Sequence, residues 1–405
     1  MPNIARWDKQ RNFLRPDVWY NSVDGMQLGL HAEGNYFGKY NYSATVWGNT
    51  TMGHWDGITY TKKYIPIAFN LSGKAATNRF WKQSYVYDNI SYYGGVSTVK
   101  LGFEKIFRKQ DQRNPKYSKL FFNVKSLYNF DNYNQYLLNP EMWGIGSYKS
   151  GLINNSINLG YFKNYFYKNG SGELTFNVRT PFINSSYNYS YMNINSFNSL
   201  TLSKFEIRSR MFGQMGYSLS YPRESALMLS GANSEDMLDN KYTRARGMVP
   251  TNWLGFGAAT NHFQYGGGLN LRGYNGYYAV ENHKQNGKDS LFTGYYSNSG
   301  ASWNIEVDFD KFIKIKPKGF TKNLKLDTYL FSDMGLLVFQ KTDNSYLPGR
   351  FRIDVGLGTA LTIKFSPYQI NPLVIRFDMP FFLNAPPVGE QNFQFRYVVG
   401  VNRAF

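Results

Sequence analysis

The chain has 405 residues, with 45 lysines and arginines against 27 aspartates and glutamates, a formal charge of +18, and 18% aromatic residues. That aromatic content argues against a disordered chain, and the lack of cysteine removes disulfide scaffolds, thiolate metal sites and cysteine nucleophiles. No run approaches the ~18 apolar residues a transmembrane helix needs, which excludes a helical membrane protein.

The first residues, Met1 to Lys9, carry no apolar core and so form no secretory signal. Residues 1–20 read as a lead-in segment and residues 21–405 as one β domain, expected to be an excised part of a longer, exported polypeptide. Met26, Leu28 and Leu30 alternate with Gln27, Gly29 and His31, and Leu174, Phe176 and Val178 with Glu173, Thr175, Asn177 and Arg179. Tyrosines crowd residues 91–94 and 187–191, which suits aromatic girdles at a membrane interface. A long polar stretch then runs over residues 231–300, the size of a functional loop.

Beyond it the alternation is cleaner. Trp303, Ile305, Val307 and Phe309 face Asn304, Glu306, Asp308 and Asp310; a basic connection follows at residues 311–322, then a strand at 324–333 and a loop at 336–349. Over residues 351–365 the odd positions are Phe351, Ile353, Val355, Leu357, Thr359, Leu361, Ile363 and Phe365, whereas the even ones are charged or small. Residues 373–381 and 393–405 repeat the pattern. Period two places one apolar and one polar face on a sheet. The last three strands reach the ~9 to 11 residues of a tilted membrane strand, where soluble strands average ~5 to 6. No capped amphipathic helix of useful length appears, and the expected fold class is all-β: a transmembrane antiparallel β-barrel.

Inside the long loop lies Tyr265-Gly266-Gly267-Gly268-Leu269-Asn270-Leu271-Arg272-Gly273-Tyr274. It lacks the Lys-Ser/Thr of a phosphate-binding loop and does not run from strand into helix. Leu271-Arg272-Gly273-Tyr274 resembles the [VIL]-Arg-Gly-[FY] motif in the sixth external loop of the Omp85 superfamily, bacterial outer-membrane barrels of the surface-antigen type. In order after it, Phe331-Ser332-Asp333-Met334-Gly335 resembles the family's Phe-x-Asp-x-Gly strand end. Residues 352–358 resemble its Gly-rich region, Ile375-Arg376-Phe377-Asp378 its Arg-Phe-Asp strand, and residues 393–405, ending on Phe405, its closing strand. The resemblance covers residues 266–405, and the phrasing is similar to Bacteroidetes-type barrels, some of them fused to hydrolase domains.

The resemblance implies 16 strands, with the loop folded into the lumen. Gly268 and Gly273 give its backbone room to approach the wall, and a confined guanidinium has to be paired. Asp333 and Phe331 share one face of their strand, so Arg272 is expected to pair with Asp333 and stack on Phe331, with Asp378 a second partner; the family implies the same contact. Gly335 and Arg376 complete the matched motifs. Gly400 is expected to weaken a seam between first and last strands, and Arg403, on the lipid phase, to snorkel to the interface.

No hydrolase elbow, Walker pattern or His-Glu-x-x-His occurs. His31, His54, His262 and His283 read as surface residues and Glu235-Asp236 as part of a solvated loop, so neither catalytic residues, metal nor cofactor are expected. The function implied by the resemblance is insertion, translocation or surface display of polypeptide in the outer membrane. Its partners would be lipid and lipopolysaccharide, a polypeptide substrate or fused passenger domain, and periplasmic or lipoprotein components, but not nucleic acid. The basic residues 311–322 would face anionic head groups or a periplasmic partner. The family's periplasmic POTRA domains have no room before residue 21, which favours the membrane domain of a larger protein. A passive porin or small-molecule transporter, and a soluble carbohydrate-binding sandwich, are the competing readings.

Overall fold

The structure, a computed structural model, describes residues 11–21, 25–36, 39–50, 67–77, 81–93, 96–108, 115–129, 152–238, 262–285, 288–309, 323–341, 343–364 and 372–405. Among them the fold is nearly all β: seventeen strands enter the main antiparallel sheet, sixteen once the three-residue Tyr346–Pro348 is set aside, and four more form two separate pairs. The lone α-helix among the described residues is Ser234–Leu238.

Two compact units divide the chain. The first holds β1 (Arg11–Asn21), β2 (Gly25–Tyr36), β3 (Tyr40–Asn49), β4 (Ile67–Ala76), β5 (Ser84–Tyr93), β6 (Val96–Arg108) and β7 (Tyr117–Asn129). Each of these pairs with the next. The strands β8 (Ile153–Tyr167), β9 (Gly170–Pro181) and β10 (Asn188–Leu202) have residues in both units. The second unit holds β11 (Phe205–Ser220), β12 (Ser299–Asp308), β13 (Leu324–Gln340), β14 (Arg352–Ile363), β15 (Leu373–Leu383) and β16 (Val398–Val401), again paired in chain order. All but β16 have ten residues or more. That is the length that crosses a bilayer, not the length usual in a soluble sheet.

Burial follows the alternation with the opposite sign from a soluble protein. In the second unit Asn304, Glu306 and Asp308 of β12, Asp333 of β13, Arg352 and Asp354 of β14, and Arg376 and Asp378 of β15 are all buried. Their apolar neighbours face outward: Leu330 is 49% exposed and Trp303 42%. The first unit repeats this within itself, with Gln27, Thr45, Thr98, Glu104, Asn123 and Lys125 buried and Leu28, Leu30, Val46, Leu101 and Leu120 exposed. Glu104 there meets Lys74 Nζ at 2.5 Å and Lys119 Nζ at 3.6 Å. Water gives no reason to bury carboxylates and expose leucines in this order. An apolar solvent outside and a polar interior do.

The structure moves several sequence boundaries. Strand β1 occupies residues 11–20 of the stretch read as lead-in and runs on to Asn21. The expected loop 336–349 is largely sheet: β13 continues to Gln340 and pairs with Tyr346–Pro348. Its alternation fades after Gly335 because Leu337 is buried in an apolar cluster, so both faces turn greasy. The final strand, expected over residues 393–405, has only Val398–Val401 in the ladder, with Phe393 joined to Phe382 by an isolated bridge. Pro380 of β15 has no N–H to offer in between, and Asn402, at φ 68°, ends the strand.

Tyr93 and Tyr189, counted with the girdle tyrosines, are buried, and Tyr189 donates its hydroxyl to Asn154 Oδ1 at 2.8 Å. Two histidines read as surface residues are also tied down: His31 contacts Thr45 and Glu33 through its ring nitrogens, and His262 stacks on Tyr397. Glu235 is buried, not solvated, and accepts from Ser225 Oγ. Residues 311–322, His54 and the His283 side chain lie outside what is described.

A lysine placed on the outward apolar face distinguishes the two solvents. Leu330→Lys is expected to cost about 2–4 kcal/mol in urea unfolding from phospholipid vesicles; a change within about 0.5 kcal/mol, as at a water-exposed site, would contradict the inverted arrangement.

Candidate functional site

The second unit builds a buried charged knot beneath the Gly-rich loop. The loop is docked by its backbone: Leu269 N–H donates to Met228 O at 2.9 Å and Leu271 N–H to Leu229 O at 3.1 Å. Gly268 sits at φ +54°, and a Cβ there would fall 2.5 Å from Met228 O, so both the left-handed backbone and the close approach require glycine. Leu269, Leu271, Tyr274 and Tyr277 then pack with Leu227, Leu229, Leu337 and Leu383 in one apolar cluster. This packing fixes a 3-10 turn, Arg272–Tyr274, against the inner face of the sheet.

Arg272 is completely buried. Its Nε and Nη2 donate to Asp333 Oδ2 and Oδ1 at 2.7 and 3.0 Å, a two-pronged match of fork to carboxylate. Its Nη1 donates to Glu306 Oε1 at 2.7 Å and lies 3.7 Å from Asp378 Oδ1. Its Cζ stands 3.8 Å from the centre of the Phe331 ring, a cation–π contact. The next residue continues the pattern: Gly273 N–H donates to Asp354 Oδ2 at 2.9 Å, and a Cβ at Gly273 would fall 2.4 Å from Leu383 Cδ2 and 2.8 Å from Asp354 Cβ. Tyr274 reaches the wall with its hydroxyl, which donates to Asn384 Oδ1 at 2.8 Å.

The wall is shaped to receive these groups. Gly356 and Gly358 of β14 leave room for the Phe331 and Tyr329 rings of β13; a Cβ at either would fall 2.2 Å from the ring it faces. Gly335, across the ladder, lies against Ala301 O. Tyr329 donates to Asp378 Oδ1 at 2.6 Å, and Arg376 Nε lies 3.1 Å from Asp378 Oδ2. Asn304 Nδ2 bridges Asp333 Oδ1 and the loop carbonyls of Leu269 and Asn270. Arg210 spans Asn195, Asn304 and Gly268 O. Glu306 also takes Arg403 at 2.6 Å and Arg208 at 3.8 Å. Arg208, Arg210, Arg272, Arg376 and Arg403 thus face Glu306, Asp308, Asp333, Asp354 and Asp378, a near balance that makes burial of so many charges tolerable.

The structure brings together the expected Arg272, Asp333, Phe331 and Asp378, with Gly268, Leu271, Gly273, Tyr274, Gly335 and Arg376 around them. Two expectations change. Arg403 does not snorkel toward lipid: it pairs with Glu306 and Asp308 and lies 4.2 Å from the Tyr329 ring centre. Phe405 is not on the outward face: the turn at Asn402 brings its ring within 5.9 Å of Arg272 Cζ and into contact with Phe197. Gly400 makes space for Arg376, whose Nη2 would be 2.6 Å from a Cβ there. Sequence reasoning passed over Glu306 and Asp354 as partners of the loop, although both stand on the polar phase of their strands and that phase was the available signal.

No nucleophile and base are juxtaposed in the knot, and each of its carboxylates meets at least one guanidinium, amide or hydroxyl donor. Among the described residues no group of His, Asp and Glu is arranged to hold a metal. The chemistry available is bracing: a loop pinned to the wall by hydrogen-bonded charge.

No protein-family model matches the chain, and no curated protein matches it. Among solved structures it is similar to BamA from Haemophilus ducreyi lacking POTRA domains 1–3, with 16% identity over 97% of this chain and 71% of that one, at a TM-score of 0.48. It is similar to CdiB from Escherichia coli, with 10% identity over 98% of this chain and 63% of that one, at 0.47. Pseudomonas aeruginosa OccK10 follows at 8% identity and a TM-score of 0.31. At these values the likenesses are too distant to carry an argument, and the reading of this chain rests on its own strands and charges.

Two substitutions probe the knot. Arg272→Ala leaves the Asp333 and Glu306 carboxylates buried with their main cation gone, and is expected to destabilise the protein by about 3–5 kcal/mol in denaturant unfolding. Gly273→Ala is expected to cost at least about 1 kcal/mol through overpacking against Leu383 and Asp354, with unchanged stability the contrary result.

Proposed function

We propose that the chain is an outer-membrane β-barrel of the Omp85 type that takes part in inserting, translocating or displaying polypeptide, as the membrane domain of a larger protein or complex. The observation that carries the reading is the Arg272 knot. A loop bearing Leu271-Arg272-Gly273-Tyr274 is held under the sheet by Asp333 of Phe331-Ser332-Asp333-Met334-Gly335 and by Asp378 of the Arg-Phe-Asp strand. The inverted burial supports a bacterial outer-membrane setting, with lipid and lipopolysaccharide outside and polypeptide as the substrate or passenger. In this reading the chain binds and guides without catalysing a reaction, and works without cofactor or nucleic acid.

The knot gives the reading its mechanism. In this reading the pinned loop stands in the way of free passage, so conduction or translocation requires the loop to shift as a unit with its charges. A passive porin would need no such brace across its interior. Planar-bilayer conductance of the wild type and of Arg272→Ala separates the two. The braced reading expects the wild type to be mostly closed and Arg272→Ala to open larger, less stable conductance states; a stable, selective open conductance unaffected by the substitution would favour the porin. Proteoliposomes holding the wild type are further expected to speed insertion of an unfolded outer-membrane barrel protein over empty liposomes, and Arg272→Ala to lose most of that gain.

A further inference from the structure

The turn that carries Arg272 also contributes to a cavity of about 310 Å³ within the second unit. That is the size of a site for a small molecule. Part of the lining is the end of the turn and the loop after it, Tyr274 and Tyr277 to Val280. The rest is Ala385 to Val388, with Arg350 and Arg352.

The lining is held in place by its own bonds. The Tyr274 hydroxyl donates to Asn384 Oδ1 at 2.8 Å and accepts from the Ala385 N–H at 3.2 Å, and Tyr277 donates to Glu390 Oε2 at 3.1 Å. Both hydroxyls are therefore occupied, which leaves the two rings as apolar surface. Glu390 N–H donates to Pro387 O at 3.1 Å and Gly389 sits at φ +90°, so residues 387–390 close a tight turn that needs glycine at its third position. Pro386 and Pro387 stiffen the approach to it.

The charge around the cavity is uneven. Arg352 is buried; its Nη1 lies 2.6 Å from Glu281 Oε1 and its Nη2 donates to Ala279 O at 3.0 Å, yet its buried Nε has no hydrogen-bond partner. Arg350 is exposed. Among the described residues its guanidinium pairs with no carboxylate and makes one long contact, Nη2 to Asn384 O at 3.4 Å. Its backbone is fixed, because its N–H lies 3.2 Å from both carboxylate oxygens of Glu281. Glu281 is thus taken by Arg352 and this N–H, and Glu390 by Arg396 and Tyr277. Among the described residues no carboxylate lines the cavity. What remains is an aromatic pocket with an uncompensated guanidinium beside it. An apolar ring bearing one anionic group matches that lining. A sugar acid does not, because the hydroxyls of a sugar need polar partners, and those near this cavity already bond one another.

We propose that this cavity binds a small carboxylate with an aromatic or cyclic apolar body. The acid group is held by the Arg350 fork beside Arg352, and the ring sits among Tyr274, Tyr277, Pro386 and Pro387. Guanidinium and carboxylate match in a two-pronged geometry, and preformed walls keep the cost of ordering low. The occupant touches both the Tyr274 loop and the Pro386 turn, so it binds while the Arg272 turn is docked and shifts the loop toward that state by mass action. The site goes beyond the polypeptide-handling reading and does not rest on it.

The test is a calorimetric titration of the full chain in lipid vesicles with 3-phenylpropionate, with empty vesicles subtracted. The acid is expected to bind with a Kd of about 1 mM or tighter, as ligands of that size do in a matched site. Two probes are expected to bind at least about fivefold more weakly: 3-phenylpropanamide, which has the shape without the charge, and glucuronate, which has the charge on a polar ring. Arg350→Gln changes an exposed side chain and is expected to weaken binding of the acid at least about fivefold, and Arg350→Lys to restore only part of it, since lysine keeps the charge and loses the fork. Val280→Asp, which adds an anion to the lining at an exposed position, is expected to weaken binding where Val280→Asn does not. Saturating acid is expected to slow amide exchange at Leu271 and Tyr274, whose N–H groups bond Leu229 O and Leu271 O, at least about threefold in the wild type and not in Arg350→Gln. No saturable binding above empty vesicles, equal binding of acid and amide, tighter binding of glucuronate, or wild-type affinity in Arg350→Gln overturns the site. Unchanged exchange at Leu271 with the acid bound overturns its hold on the loop. Each readout measures occupancy, so loss of insertion activity alone counts against the functional reading and leaves the site standing.

Discussion

The second unit depends on one buried cation. A guanidinium removed from water needs hydrogen-bonded countercharge on nearly all of its donors, and Arg272 obtains it from Asp333 and Glu306 with Asp378 close by. Those carboxylates sit on three different strands, so the loop cannot leave without stripping partners from β12, β13 and β15 together. The need to satisfy one side chain thereby becomes a constraint on the position of a whole loop. Packing reinforces it, because Leu271 and Tyr274 on either side of the arginine bury their apolar surface in the cluster that also holds Leu337 and Leu383.

The wall has been cleared for this arrangement by omission as much as by addition. Gly356 and Gly358 stand where side chains would collide with Phe331 and Tyr329, and those two rings supply the cation–π surface for Arg272 and the hydroxyl donor for Asp378. Arg403 and Arg208 complete the coordination of Glu306. Outside, the opposite phase of the same strands is leucine, isoleucine and tryptophan. A sheet that hides so many charged groups in one unit and shows its apolar side chains to the surroundings has the energetics of a membrane wall, where polar satisfaction is internal and the apolar face meets lipid.

Much of this was legible in the sequence, and the parts that were not have physical reasons. Period two exposed the strands and their polar phase, which put Asp333 on one face with Phe331, and the motif resemblance pointed to Arg272 as the loop cation and to Asp378 as a further partner. The end of β13 was hidden, since Leu337 faces a folded loop and not an open interior, and two-sided burial erases alternation. The short β16 was misjudged for a different reason: alternation over residues 393–405 persists in the sequence although Pro380 and the turn at Asn402 prevent a full ladder. Arg403 and Phe405 then fell on the wrong face, since phase counting fails beyond a left-handed residue. The contact of residues 262–264 with Val399 is a backbone event between segments more than a hundred residues apart and left no side-chain signature to read.

The central claim is that Arg272 and Asp333 hold the loop in place as a pair. A double-mutant cycle with Arg272→Gln and Asp333→Asn, each measured by denaturant unfolding in lipid vesicles, tests it most directly. The two single substitutions are expected to be strongly non-additive, with a coupling energy of about 2 kcal/mol or more. Losses that simply add, with coupling below about 0.5 kcal/mol, would show that the pair does not anchor the loop and would contradict it.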